Sequence, residues 1–167
     1  MLTLRHIQEA TEGCFVQGDK AGCVNGVSID SRQIKKGNLF IAIRGQRLDG
    51  HKFLDEVIKK GAKAVIVSKG VALPQHIAVI RVKDTTRALG CVANYHRRQF
   101  NIPVIAVTGS AGKTTTKEMI AAVLATRYKV LKNLKTENNQ YGVPLTLLKL
   151  TPAHQVAVLE LGTNQPG

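Results

Sequence analysis

The chain has 167 residues, which at ~150 residues per domain is about one ordinary domain or two small ones. Hydrophobic residues make up 44% and charged residues 21%, a balance that excludes a low-complexity, collagen-like or wholly membrane-embedded chain. The 24 Lys and Arg against 11 Asp and Glu leave a net charge of +13, which favours anionic partners: nucleic acid, anionic lipid or phosphorylated small molecules.

Thr3 is placed to cap a short helix that carries Leu4, Ile7 and Ala10 on one face. Gly13, Gly18, Gly22 and Gly26 then punctuate a turn-rich stretch. Val27 to Asp30 is a short strand, and Asn38 to Ile43 is a continuous apolar run that reads as a buried one. Asp49-Gly50 marks a turn. His51 to Lys60 reads as a helix with Phe53, Leu54, Val57 and Ile58 in one stripe, closed by Gly61. Ala64 to Val67 follows as a strand. Strand, helix, strand in this order predicts a crossover with parallel strands. Ile77 to Val82 is a further strand.

Asp84 caps a helix to about Arg98, with Leu89, Val92, Ala93 and His96 on its inner face. The first region already has strands and a helix enough to close a small core, so a boundary is expected at 83/84. Pro103 to Val107 reads as a buried strand, followed by a glycine-rich turn. Thr114 to Thr126 reads as a helix with Met119, Ile120, Val123 and Leu124 inward. Tyr128 to Leu131 is a strand, Val143 to Leu150 a helix and Gln155 to Leu161 another strand. This βαβαβ order opens a parallel sheet covered by helices, an α/β fold.

The cations are scattered (Lys35-Lys36, Lys59-Lys60, Arg97-Arg98, Lys132, Lys135), and aromatics are 4% with no Trp. That is too few for a platform that stacks bases, and a solvated basic surface is the plain alternative. No apolar run approaches the ~20 residues that span a bilayer. Met1 to Ala10 carries charges and no apolar core, so it does not read as a secretory signal. Cys14, Cys23 and Cys91 are odd in number and form no Cys-x-x-Cys, so reduced thiols in the cytoplasm are expected. The five histidines stand singly, which argues against zinc.

The strongest chemical signal is Thr108-Gly109-Ser110-Ala111-Gly112-Lys113-Thr114-Thr115, between a strand and a helix. Glycines let backbone N–H groups crowd phosphate oxygens, and the helix N-terminus adds positive charge. Lys113 is placed to reach the β- and γ-phosphates, and the Thr114 hydroxyl to ligate Mg²⁺. The general phosphate loop asks for glycine at position 107, where this chain has Val107, so the contracted Gly-x-x-Gly-Lys-Thr remains. An ordinary glycine turn with an exposed lysine is the alternative. Glu160 ends the run Val156 to Leu159. If that strand is parallel to Val104–Val107, its carboxylate emerges at the edge where α/β sheets bind ligands, and suits Mg²⁺. A strand-end glutamate facing water is the alternative. The two amides of Glu137-Asn138-Asn139-Gln140-Tyr141-Gly142-Val143-Pro144 read, by themselves, as a turn.

These residues together resemble the Mur ligases. The resemblance is carried by Thr108–Thr115, by Asn138-Asn139-x-x-Gly142-Val143-Pro144-Leu145-Thr146-Leu147-Leu148, and by Glu160-Leu161-Gly162-Thr163-Asn164-x-Pro166-Gly167. The first region agrees: Ser28-Ile29-Asp30-Ser31-Arg32, Gly37 to Ile43 with Gly45, then Asp49-Gly50-His51-x-Phe53. The family's phosphate loop is contracted, which accounts for Val107.

The resemblance implies a small α/β domain over 1–83 that binds a UDP-linked substrate. The first part of a parallel-sheet, phosphate-loop ATPase domain follows over 84–167. It implies ATP and Mg²⁺ as cofactors, and an amide ligation through an acyl phosphate. The substrates would be a UDP-N-acetylmuramoyl tripeptide and D-alanyl-D-alanine, with no nucleic acid or membrane partner and a monomeric full-length enzyme. Residues 108–115 would bind ATP, with Lys113 catalytic on the transferring phosphoryl group and Thr114 and Glu160 on the metal. Asn138 and Asn139 would order the metal–substrate region. Ser31, Arg32, Arg44, Gly45 and Gln46 would hold the UDP end; turn chemistry and surface charge are the competing readings of Ser31, Arg32 and Arg44. The family pattern continues past Gly167, through the rest of the ATPase sheet and a C-terminal domain. The chain is therefore expected to be a fragment without ligase turnover by itself. Two other classes stay open: another phosphate-loop NTPase, and a basic nucleic-acid-binding module.

Overall fold

A computed structural model describes residues 2–45, 48–134 and 137–162, and the strands and contacts below are those of these residues. The chain forms two compact units, 1–95 and 96–167.

In the first unit the chain runs β1 (Leu2–Thr3), α1 (Leu4–Thr11), β2 (Cys14–Gln17), β3 (Cys23–Val24), β4 (Val27–Ser28) and β5 (Leu39–Ile41). A 3₁₀ turn (Gly50–Phe53), α2 (Leu54–Lys59), β6 (Ala64–Val67), β7 (Ala78–Arg81) and α3 (Thr85–Arg98) follow. Thr3 caps α1 as expected, its Oγ1 accepting from the His6 N–H. Asp84 caps α3 by accepting from the Thr86 and Arg87 N–H groups. The sheet order is β2-β7-β6-β5-β4, parallel from β4 to β7, with β2 antiparallel on the edge. β5 and β6 are buried along their whole length, which is why they read as unbroken apolar runs. Their α2-facing side packs Phe40, Val65 and Val67 with Leu54 and Val57.

Three expectations need correction here. The turn-rich stretch after Gly13 contains β2, whose residues alternate between exposed and half-buried. Alternation of period two is the mark of a strand with one covered face, and the flanking glycines obscured it. The helix expected from His51 to Lys60 begins as a 3₁₀ turn, because Asp49 caps it by accepting from the His51 N–H. The division between the units runs through α3 rather than ahead of it. Ala88, Leu89, Val92 and Ala93 are buried, and Tyr95 lies against His6 of α1 with ring centroids 5.1 Å apart.

The second unit contains β8 (Val104–Val107), α4 (Lys113–Ala125), β9 (Val130–Lys132), α5 (Gly142–Leu147) and β10 (Val156–Glu160). All three strands are parallel, in the order β8-β10-β9. The last strand in sequence is thus central, and every one of its residues is buried. Its Ala157 packs with Leu131, Leu150, Phe100 and Ile102.

Two further expectations fail in this unit. β8 is not a buried strand: Val104 and Ala106 are exposed, because β8 lies at the edge of the described sheet. α4 does not turn Met119 and Val123 inward; they are 65% and 71% exposed. Its buried positions are Lys117 and Ala121, one turn apart, and this stripe faces β10 and β9. Val107, which breaks the general phosphate-loop pattern, is buried and pairs with Glu160.

Candidate functional site

β8 delivers the chain to the loop 108–112, and α4 starts immediately after it. Gly109 and Gly112 take φ of +142° and +72°, values that L side chains rarely adopt. Gly112 occupies the N-cap position, and no side chain caps the helix. The first N–H groups of α4 therefore have no side-chain acceptor, which is how a helix start receives an anion. The loop itself is exposed from Thr108 to Gly112. Lys113 folds back over it, its Nζ donating to the Gly109 carbonyl at 2.7 Å.

The parallel pairing of β10 with β8 brings Glu160 level with Val107, at the mouth of this loop. The Thr114 hydroxyl donates to Glu160 Oε2 at 2.8 Å, and Asn138 Nδ2 donates to Oε1 at 2.9 Å. Burial pushes the Glu160 carboxyl up. The hydrogen bonds from Asn138 and Thr114, with the ammonium groups of Lys117 and Lys113 nearby, outweigh it and hold the group below the ordinary glutamate value. The result is an ionised carboxylate and a hydroxyl side by side at an uncapped helix start.

Of the paired amides, Asn138 faces Glu160 and Asn139 does not. Asn139 Oδ1 accepts from the Tyr141 and Gly142 N–H groups and so holds the start of α5. The turn reading thus describes Asn139, while Asn138 joins the cluster.

Two further residues of this cluster went unnoticed in the sequence. Lys117 is fully buried, with its Nζ donating to the Asn133 carbonyl at 2.6 Å and 3.1 Å from Glu118 Oε1. Asn133 is also fully buried and binds the backbone of Glu160 on both sides, its Oδ1 accepting from the N–H at 2.8 Å and its Nδ2 donating to the carbonyl at 3.0 Å. A signal for Lys117 existed: it shares one helical stripe with Ala121 and Leu124, where a lysine is out of place.

In the first unit, Ser31 is buried and its hydroxyl donates to Glu56 Oε2 at 3.3 Å. Arg32 is exposed and forms a forked pair with Asp30, 2.7 Å at the shorter contact. Arg44 and Gly45 are exposed, and Arg44 bridges to Asp49 across a short antiparallel contact. Gln46, Lys135 and residues 163–167 of the last motif lie outside the described residues. His51 is buried; its Nε2 accepts from the Ser68 N–H at 3.0 Å, so Nδ1 carries the proton toward Asp49 Oδ1 at 2.6 Å. Among the described residues no cluster of three His, Cys, Asp or Glu is placed to hold a metal, and no helix is long and apolar enough to cross a membrane.

Residues 23–135 match the model of the Mur ligase family, catalytic domain, and residues 107–167 that of the Mur ligase middle domain. The chain is 39% identical over 167 residues to the UDP-N-acetylmuramoyl-tripeptide–D-alanyl-D-alanine ligase of Bacillus subtilis, covering 99% of this chain and 36% of that protein. It is 44% identical over 146 residues to the ligase of the same name from Escherichia coli, covering 86% and 31%. A crystal structure of MurF from Acinetobacter baumannii superimposes with a TM-score of 0.89 at 38% identity, over 99% of this chain and 37% of that one. MurF ligase from Thermotoga maritima, solved in complex with ADP, superimposes at 0.77 and 33% identity, over 85% and 33%. The chain thus spans about a third of the length of the relatives it matches. With one family model covering more than half of its residues, the chain belongs to the Mur ligase family.

Proposed function

We propose that this chain is the UDP-substrate-binding region and the opening part of the ATP-binding domain of a cytoplasmic ligase. The ligase joins D-alanyl-D-alanine to a UDP-N-acetylmuramoyl tripeptide in peptidoglycan precursor synthesis. The observation that carries the reading is the 2.8 Å contact between Thr114 and Glu160 beside an uncapped helix start.

A carboxylate and a hydroxyl are hard oxygen donors, and Mg²⁺ is held by one or two carboxylates together with phosphate oxygens, so the residues present fit it. Bound Mg²⁺ would neutralise charge on the phosphates and orient the transferring group. The chain's own residues do the rest. Backbone N–H groups from Gly109 to Thr115 receive phosphate oxygens. Lys113 leaves the Gly109 carbonyl and stabilises charge on the transferring phosphoryl group. Asn138 holds Glu160 in its orientation, and Asn139 holds the turn that presents Asn138. In the reaction the terminal carboxylate of the muramoyl peptide attacks the γ-phosphorus of ATP, and an acyl phosphate forms as ADP leaves. The amine of D-alanyl-D-alanine then attacks the acyl carbon, phosphate leaves, and the nitrogen gives up a proton as the amide forms.

In the first unit, Ser31, Arg32, Arg44, Gly45 and Gln46 would hold the UDP end. The net charge of +13 suits a polyanionic ligand. The test is calorimetric titration of the chain with ATP, with and without Mg²⁺, and separately with UDP. Binding of ATP that Mg²⁺ strengthens and Lys113→Ala weakens about tenfold or more is expected. Equal ATP affinity in both proteins removes the phosphate-loop assignment.

A further inference from the structure

Lys117 and Asn133 lie in neither motif of the site, yet both are wholly buried. A buried ammonium is costly unless paired and hydrogen-bonded, and an alanine or leucine would fill the same helical stripe without that cost. Lys117 is paired with Glu118, and its hydrogen bond to Asn133 leads on to Glu160.

β9 pairs with β10 as far as Lys132 opposite Val158. Beyond that point the ladder stops, and the Asn133 side chain continues it. Its amide accepts from the Glu160 N–H and donates to the Glu160 carbonyl, as a neighbouring strand would. The same Nδ2 also donates to the Glu137 carbonyl at 2.8 Å, next to Asn138. On the other flank, the Leu161 N–H donates to the Val107 carbonyl at 2.9 Å. The backbone of Glu160 is thus clamped between β8 and Asn133. Lys117 in turn holds Asn133 by its carbonyl, from the helix that carries Thr114. One rigid path therefore joins the two side chains that meet at 2.8 Å.

We propose that Asn133 and Lys117 are positioning residues for the metal-binding edge of the phosphate site, setting the Glu160 carboxylate against Thr114. This rests on the reading of that edge as a nucleotide–metal site. Outer-shell partners of this kind typically change metal affinity roughly tenfold to a hundredfold.

The test uses the 167-residue chain, Mn²⁺ as the probe and electron paramagnetic resonance to measure free Mn²⁺ in the presence of ATP. ATP affinity without metal and the thermal midpoint are measured alongside. Asn133→Asp keeps the shape but replaces the donor facing two carbonyls; Lys117→Met is the second variant. Leu150→Val, in the core of the same unit, controls for loss of stability alone. Each of the two variants is expected to weaken Mn²⁺ binding to the ATP complex about tenfold, with metal-free ATP affinity within about twofold of the parent. The control is expected to lower the midpoint without moving the metal affinity. The proposal is overturned if a folded variant binds Mn²⁺ as the parent does, or if metal-free and metal-bound ATP affinities fall together as in a merely loosened core. If the parent chain binds ATP with no dependence on metal, the site reading itself fails first, a result seen before any variant is made.

Discussion

Thr114 and Glu160 are 46 residues apart in the chain and share a 2.8 Å hydrogen bond at the carboxyl edge of a parallel sheet. The hydroxyl belongs to the first turn of α4 and the carboxylate to the last position of β10. Nothing local holds them together; the pairing of β10 with β8 does.

Glu160→Gln should retain the fold and lose the metal dependence. The amide keeps the size of the side chain and an oxygen to accept from Thr114, but removes the charge. Mn²⁺ affinity in the presence of ATP should fall by more than about tenfold, since even outer-shell changes reach that size. Spin resonance of the titrated ion reads this directly, and an unchanged affinity would move the metal away from Glu160.

Asn139→Ala should lower the stability of the second unit by about 1 kcal/mol, the usual cost of a lost cap. Asn139→Asp keeps the accepting oxygen for Tyr141 and Gly142 and should recover most of it. Urea unfolding of the two variants decides the point; equal losses would mean that the side-chain oxygen is not what matters.

His51→Ala should cost the first unit about 2 kcal/mol, because the half-buried Ser68 N–H loses its acceptor and the buried ring leaves a gap, while Asp49 keeps the residue-51 N–H and Lys69. The same change should loosen the bridge between Arg44 and Asp49, since Asp49 Oδ1 also meets the His51 ring. Hydrogen exchange at Gly45 and Gly50, whose N–H groups donate to Leu48 and Ile43, measures it. Unaltered protection there would show that the bridge stands without the histidine.

Acid should destabilise the first unit in a defined window. The hydrogen bonds from the Arg32 side chain and backbone hold the Asp30 carboxyl down at about 2, against an ordinary value near ~4. Asp49 is also depressed, by the His51 N–H first and then its ring. A carboxyl lowered on folding contributes stability that is present above its unfolded value and lost as pH falls through its folded one. Unfolding midpoints should therefore drop between about pH 4 and pH 2, and less steeply in Asp30→Asn. A parallel fall in both proteins would mean that Asp30 contributes nothing to the linkage.

Much of this was legible in one dimension. Unbroken apolar runs such as Leu39–Ile41 and Ala64–Val67 declared buried parallel strands, because both faces of such strands are covered. Capping at Thr3 and Asp84 was readable because each cap depends on residues within one turn of it, and the string from Thr108 to Thr115 because its residues are consecutive. That a glycine-rich turn joins a strand to a helix at 108–112, and that a strand ends on Glu160, needed no coordinates.

What only tertiary structure decided were relations between distant parts. The order β8-β10-β9 inserts the last strand between the first two, and this makes β8 an edge and sets Glu160 against the loop. No periodicity records strand order. The inward face of α4 followed from which strands it covers, so Lys117 and Ala121 are buried where Met119 and Val123 had the more apolar pattern. The division of labour between Asn138 and Asn139 was likewise set by where the turn ends and Glu160 begins. Hydrophobicity reports how much a side chain gains by leaving water, whereas a neighbour 46 residues away is chosen by the packing of the whole sheet.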